Sequence, residues 1–211
     1  MRITKREHAC LVVEDQGEQL VIDPGSFTAP LEGLDSLVAV VVTHEHPDHW
    51  TPEHLERLRS VKPAVPIYGP AGVATAAEGF DVQVVADGDE VTVGTFTLSF
   101  HGKEHAVIHR SLPIVDNVGV FVNDTLYYGG DSYTVPPKPV EVLAAPAGAP
   151  WLKIGEAMDY VAEVAPRHAF PTHQVPLSTI GQNMANQRLS AVTEDGGGSY
   201  HVLEPGDTLD A

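Results

Sequence analysis

The stretch Leu37-Val38-Ala39-Val40-Val41-Val42-Thr43-His44-Glu45-His46-Pro47-Asp48-His49 decides how the rest of this chain is read. Its first half is apolar without alternation, the pattern of a strand buried on both faces of a layered α/β structure. Its second half places four ligand-type side chains, His44, His46, Asp48 and His49, within six positions. Thr51-Pro52 follows as a helix N-cap with proline in the first turn, and Leu55 and Leu58 supply the inward face. Donors held between a rigid strand and a helix start converge on a small volume without a wide backbone search. Neutral imidazole and carboxylate suit Zn²⁺ and similar divalent ions. Four such groups exceed the needs of one open tetrahedral site, so the spacing predicts two metals side by side.

Upstream, His8–Glu14 and Glu18–Ile22 read as two strands joined by the turn Asp15-Gln16-Gly17, ending in Asp23-Pro24-Gly25. Downstream, short strands are expected at Pro66–Tyr68 and Val82–Val85, with a helix over Ala71–Glu78. Val91 and Val93, then Phe96, Leu98 and Phe100, alternate across Gly94 as a hairpin with one wet face. Further strands are expected at Val118–Val122, Leu126–Tyr128, Val140–Leu143 and Tyr200–Leu203, and helices over Ile154–Val164 and Ile180–Leu189. Pro136–Pro139 and Ala144–Pro150 are taken as loops, so residues 1–211 are expected to form one domain. Strands interspersed with helices imply sheet packed on sheet with helices outside.

Composition bounds the function. With 12 Lys+Arg against 29 Asp+Glu, the formal net charge is 12 − 29 = −17, which disfavours nucleic acid and anionic membranes as partners. The one cysteine, Cys10, precludes an intrachain disulfide and a thiolate-built cluster. The five-residue apolar run Ala9–Val13 is too short for an export signal or a membrane span, so the expectation is a cytoplasmic protein acting on a small-molecule substrate. Histidine is the unusual entry in the composition, with 11 residues, and His101, His105 and His109 form a second group.

The His-x-His-x-Asp-His pattern resembles the signature of the metallo-β-lactamase superfamily. The later order also matches: Val21–Gly25 as an early Asp-bearing strand, a histidine near 105, Gly129-Gly130-Asp131-Ser132, and Pro171-Thr172-His173. The short length and Ala149–Lys153 are similar to compact hydrolases related to L-ascorbate-6-phosphate lactonase. The resemblance implies an α/β (α+β) fold, a four-layered αββα sandwich of two mixed sheets with metals at one edge. It further implies His44, His46 and His105 on one ion, Asp48, His49 and His173 on the other, and Asp131 bridging them. Asp23 would stand behind a ligand histidine and fix its tautomer. Gly129-Gly130 departs from relatives that carry histidine or proline near that point.

His105 is preferred over His101 because Phe96, Leu98 and Phe100 share one strand face while Gly102-Lys103-Glu104 carries His105 past the strand end. If Ala106–Ile108 opened another strand, His109 would lie roughly 13 Å further on, against the pocket wall. Lys153 is a candidate anchor for an anionic substrate. Trp50 and Trp151 are assigned to core packing, His54 and His168 to solvated or capping roles, and His8 and His201 carry no motif. The expected function is a binuclear metal-dependent hydrolase in which a metal-bridging hydroxide cleaves a small ester, lactone or phosphoester, with Asp48 or Asp131 as the catalytic carboxylate. The two ions are expected to be Zn²⁺, with Mn²⁺ or Fe²⁺ as alternatives. Rival readings are a catalytically silent metal-binding or scaffold protein and a di-iron redox protein. The redox reading is disfavoured because position 46 is an imidazole and no flavin domain is attached.

Overall fold

A computed structural model describes residues 1–211. Fourteen strands form two seven-stranded sheets. The first sheet is built from β1 (Arg2–Lys5), β2 (Leu11–Asp15), β3 (Glu18–Ile22), β4 (Leu37–Val41), β5 (Ile67–Gly69), β6 (Val82–Val84) and β14 (Thr208–Asp210), in the order β14-β1-β2-β3-β4-β5-β6. The second contains β7 (Glu90–Val93), β8 (Phe96–His101), β9 (Gly119–Val122), β10 (Leu126–Tyr128), β11 (Val142–Pro146), β12 (His168–Thr172) and β13 (Ser199–Tyr200), in the order β13-β12-β11-β10-β9-β8-β7. Both sheets are mixed. β3, β4, β5 and β6 run parallel in one, and β10, β11, β12 and β13 run parallel in the other.

Three apolar clusters make the four layers. The inner one joins the sheets through Ile3, Leu20, Val41, Phe96, Phe100, Val122 and Phe170. The helices α1 (Pro52–Val61) and α2 (Ala71–Ala76) cover the first sheet through Leu55, Leu58 and Val73. On the opposite side α3 (Ile154–Val164) and α4 (Thr179–Asp195) cover the second through Ala157, Val161, Ala185 and Leu189. The expected αββα sandwich is therefore the fold. β4 has both faces covered, which is why its sequence shows no alternation. Thr51 caps α1 as expected, its side chain accepting from His54 N–H at 3.2 Å.

Several elements differ from the sequence expectation. β1 and β14 pair the two chain ends, Arg2 opposite Asp210, a contact that local pattern cannot encode. β11 runs on through Ala144-Ala145-Pro146, which was expected to be loop. Small residues fit there because the strand is fully buried between β10 and β12, and tertiary pairing overrides their weak strand preference. Ala106–Ile108 forms no strand, and Tyr200–Leu203 contributes only Tyr200 to one. α4 extends to Asp195, past the expected end at Leu189.

Lys5 is wholly buried in β1 with Nζ 3.3 Å from the Arg6 carbonyl. Burial pushes its pKa down to about 8, against the pull of Glu204 and Glu7. The folded chain therefore binds this proton less tightly than the unfolded chain, and the resulting penalty is complete below pH 8 and vanishes above the unfolded value of 10.5. Lys5→Met is expected to raise stability by about 1–3 kcal/mol at pH 7. In urea unfolding, its advantage over wild type should shrink as pH rises from 8 toward 10.5.

Candidate metal centre

The carboxyl ends of the parallel strands meet at one edge of the sandwich, where ligands gather in α/β sheets. Asp23 follows β3, the loop Thr43–His49 follows β4, Asp131 follows β10, Gly148 follows β11 and His173 follows β12. His105 comes from the loop after β8, tied down by its N–H to the Val115 carbonyl at 3.0 Å. The structure thus brings His44, His46, Asp48, His49, His105, Asp131 and His173 together. Their donor atoms fall into three groups whose members all lie within 4.8 Å of one another: His44, His46 and His105; Asp48, His49, His173 and His8; and His44, His49 and Asp131, which links the other two. Asp131 stands between them, with Oδ2 3.3 Å from His105 Nε2 and 3.1 Å from His173 Nε2, and Oδ1 3.2 Å from His49 Nε2.

Outer hydrogen bonds set the tautomers. His49 donates Nδ1–H to Asp23 Oδ2 at 2.6 Å, His173 donates Nδ1–H to the Gly148 carbonyl at 2.8 Å, and His105 donates Nδ1–H to the Ala106 carbonyl. Each ring thereby aims Nε2 inward, where it offers a lone pair once that nitrogen is deprotonated. Asp23 also accepts from Thr43 N–H at 2.8 Å and Oγ1–H at 2.7 Å, so one buried carboxylate orients the start of the ligand loop and a ring within it.

The inward atoms fit a metal. His49 Nε2, His105 Nε2, His173 Nε2 and Asp131 Oδ1 are buried and, although the nitrogens lie 3.1–3.3 Å from Asp131 oxygens, none makes a well-aligned hydrogen bond, a costly state unless a cation completes them. Electrostatics agree. Burial, then neighbouring His49, holds His44 well below the ordinary histidine range, and burial with His105 lowers His46, so both are neutral donors. Burial opposes the charged form of His49, yet Asp131 and Asp23 carry it well above the ordinary range; His173 is likewise lifted to about 9 by Asp131 and Asp48. Burial also opposes the charged carboxylates, but His173 and His8 hold Asp48 low, and His49 and His173 hold Asp131 low. Without a cation, protons occupy the place of positive charge.

Glycine is required at two points around this loop. A Cβ on Gly25 would lie 1.8 Å from the Asp48 carbonyl oxygen. Gly130 has φ +62, and its Cβ would meet Asn117 Oδ1 at 2.5 Å, which accounts for the small residue before Asp131. Gly25→Ala is expected to displace the Asp48 backbone, costing about 1–3 kcal/mol and weakening uptake of a divalent ion. Urea unfolding of chelator-treated protein and a zinc titration check the two effects separately.

Other candidates lie elsewhere. His109 is exposed and pairs with Ser111 Oγ at 2.7 Å, not with the cluster. His101 stays in β8, 3.3 Å from Ser99 Oγ. Ala106–Ile108 is loop, so strand spacing does not separate His105 from His109; the Val115 and Ala106 contacts position His105 instead. Lys153 is exposed, 3.4 Å from Glu156 Oε1, on the wall of a 400 Å³ groove shared with Leu152, Leu177, Met184 and Arg188. His54 is buried and reaches the Thr28 carbonyl at 3.0 Å, not solvated as expected. Two residues at the site escaped the sequence reading. Trp151, assigned to core packing, donates Nε1–H to Asp131 Oδ2 at 2.8 Å. His8, assigned no motif, lies 3.2 Å from Asp48 Oδ2; a lone histidine before a strand gives no spacing signal.

Residues 2–173 match the family model described as the beta-lactamase superfamily domain. The chain belongs to this superfamily. It is 38% identical over 199 residues to Protein Rv0786c of Mycobacterium tuberculosis, covering 92% of this chain and 93% of that protein. Among solved structures, Igni18, a metallo hydrolase from Ignicoccus hospitalis, superposes with a TM-score of 0.74 at 18% identity over 99% of this chain and 97% of that one. CmlA, a diiron β-hydroxylase from Streptomyces venezuelae, superposes with a TM-score of 0.76 at 15% identity over 100% of this chain and 54% of its own. Such distant structures share the fold while differing in chemistry. No helix of the chain is long and apolar enough to cross a membrane.

Proposed function

We propose that this superfamily member is a metal-dependent hydrolase of a small ester, lactone or phosphoester, with two divalent ions held across Asp131. The observation that carries the reading is the convergence of two donor groups on one carboxylate, with inward atoms left unpaired. His44, His46 and His105 would hold one ion, Asp48, His49 and His173 the other, and Asp131 both. The imidazole-rich set favours zinc over manganese or iron. A bound pair would supply a water activated near neutral pH and a Lewis acid toward an acyl or phosphoryl oxygen.

The chain's own residues supply positioning. Asp131, its side chain 4% exposed, is fixed by the Trp151 N–H and would be held as a shared ligand, not a proton carrier. Asp48, 23% exposed at the side chain, engages His8 and His173 through Oδ2, leaving Oδ1 without a protein partner. Asp48 Oδ1 is therefore the atom placed to accept a hydrogen bond from an attacking water and aim its lone pair. The groove beside Lys153 shares Gly148 with the loop that bonds His173, but none of the seven donor side chains lines it.

Elemental analysis of metal-replete protein, combined with a screen of phosphodiesters, lactones and esters, tests the proposal. Two ions per chain and turnover that disappears on chelation are expected. Two ions with no turnover of any of these classes would instead favour the scaffold reading, and two irons with oxygen-dependent activity the redox one.

A further inference from the structure

We infer that His8 is a positioning residue for the second donor group, fixing the Asp48 carboxylate through its ring and the His173 loop through its main chain. The consequence for metal binding rests on the two-ion reading above; the contacts themselves do not. His8 lies in the turn between β1 and β2 of the first sheet, whereas His173 follows β12 of the second. The His8 carbonyl accepts the His173 N–H at 3.0 Å, a bond that ties the two sheets together at the site. The rings are 3.9 Å apart by centroid, and Phe27 packs edge-on against His8 at 5.0 Å. The imidazole is thus held between them.

Both residues have left-handed backbones, φ 58 at His8 and φ 60 at His173. Such angles are uncommon outside glycine, although histidine adopts them more readily than most residues, and they persist where the surroundings over-determine them, as they often do at functional sites. The buried ring has one hydrogen-bonding neighbour: Nε2 is 3.2 Å from Asp48 Oδ2, while Nδ1 has no partner. A proton on Nδ1 would leave a donor unused and set the Nε2 lone pair against a carboxylate oxygen. The proton therefore belongs on Nε2, donated to Asp48, which makes His8 an orienting group for a ligand and not a ligand itself.

Two variants and one spectrum test this. His8→Leu removes the donor, whereas His8→Gln keeps an amide N–H near the Nε2 position. Zinc titration against a fluorescent chelator should show the second ion weakened by about 10–100-fold in His8→Leu, with the first ion unchanged and His8→Gln close to wild type. In chelator-stripped wild-type protein, the long-range ¹⁵N–¹H spectrum should show His8 as the Nε2–H tautomer. Unchanged second-ion affinity in His8→Leu, equal losses in both variants as expected of a direct ligand, or an Nδ1–H tautomer would each overturn the inference. If wild type takes only one ion, the two-ion reading fails by itself, and the tautomer still decides the role of His8. The spectrum also needs no variant to fold.

Discussion

Asp131→Asn lowers turnover of the substrate found by screening by about 10³-fold, equivalent to ~4 kcal/mol of transition-state stabilisation, with the fold retained. The substitution keeps volume and an oxygen to accept the Trp151 N–H, so local packing is preserved. It removes from between the two donor groups the carboxylate that faces all three of His49, His105 and His173. An amide has one good oxygen donor where the carboxylate has two, so it cannot bridge. Loss of kcat together with zinc occupancy, alongside an unchanged far-UV circular dichroism spectrum, is the expected result. Wild-type kcat/KM in the purified variant would remove Asp131 from the bridging position. Loss of secondary structure would instead assign it to stability.

The sequence made the frame around the site readable where local chemistry and tertiary burial agree. Leu37–Val41 is apolar throughout because parallel neighbours and two covering layers enclose it, and Thr51-Pro52 caps α1 by short-range hydrogen bonding. The ligand loop could be read because its donors are adjacent in the chain. His8 and Trp151 were not readable, since each acts on a residue far away in sequence: Asp48 is 40 positions from His8, and Asp131 is 20 from Trp151. The same reason hid β1 pairing with β14. α4 runs past its expected end through Val192, which packs on the apolar cluster of Ala185 and Leu189, and through Thr193, whose buried hydroxyl bonds the Leu189 carbonyl at 2.8 Å, a polar residue on an inward face that apolar patterning does not register.

Metal removal should have the largest effect on stability, and its size should depend on pH. An ion that binds only the folded chain adds about 4 kcal/mol at a free concentration 1,000 times its Kd, roughly 8–16 °C in Tm for a domain of this size. In the stripped protein, His173 is held protonated up to about pH 9, against burial, by Asp131 and Asp48. Because that folded value is raised above the unfolded 6.5, the stability it confers is fully present below pH 6.5 and is lost as pH climbs through about 9. A bound ion would need the same ring deprotonated, so the metal would compete with a proton on His173 at low pH and not at high pH. The difference in Tm between zinc-loaded and chelator-treated protein should therefore widen from pH 6.5 to 9. Calorimetry in buffers of different ionisation enthalpy should register proton release on zinc binding at pH 7. A difference in Tm independent of pH, with no proton released, would mean that His173 is not displaced from its carboxylate partners and does not serve the second ion.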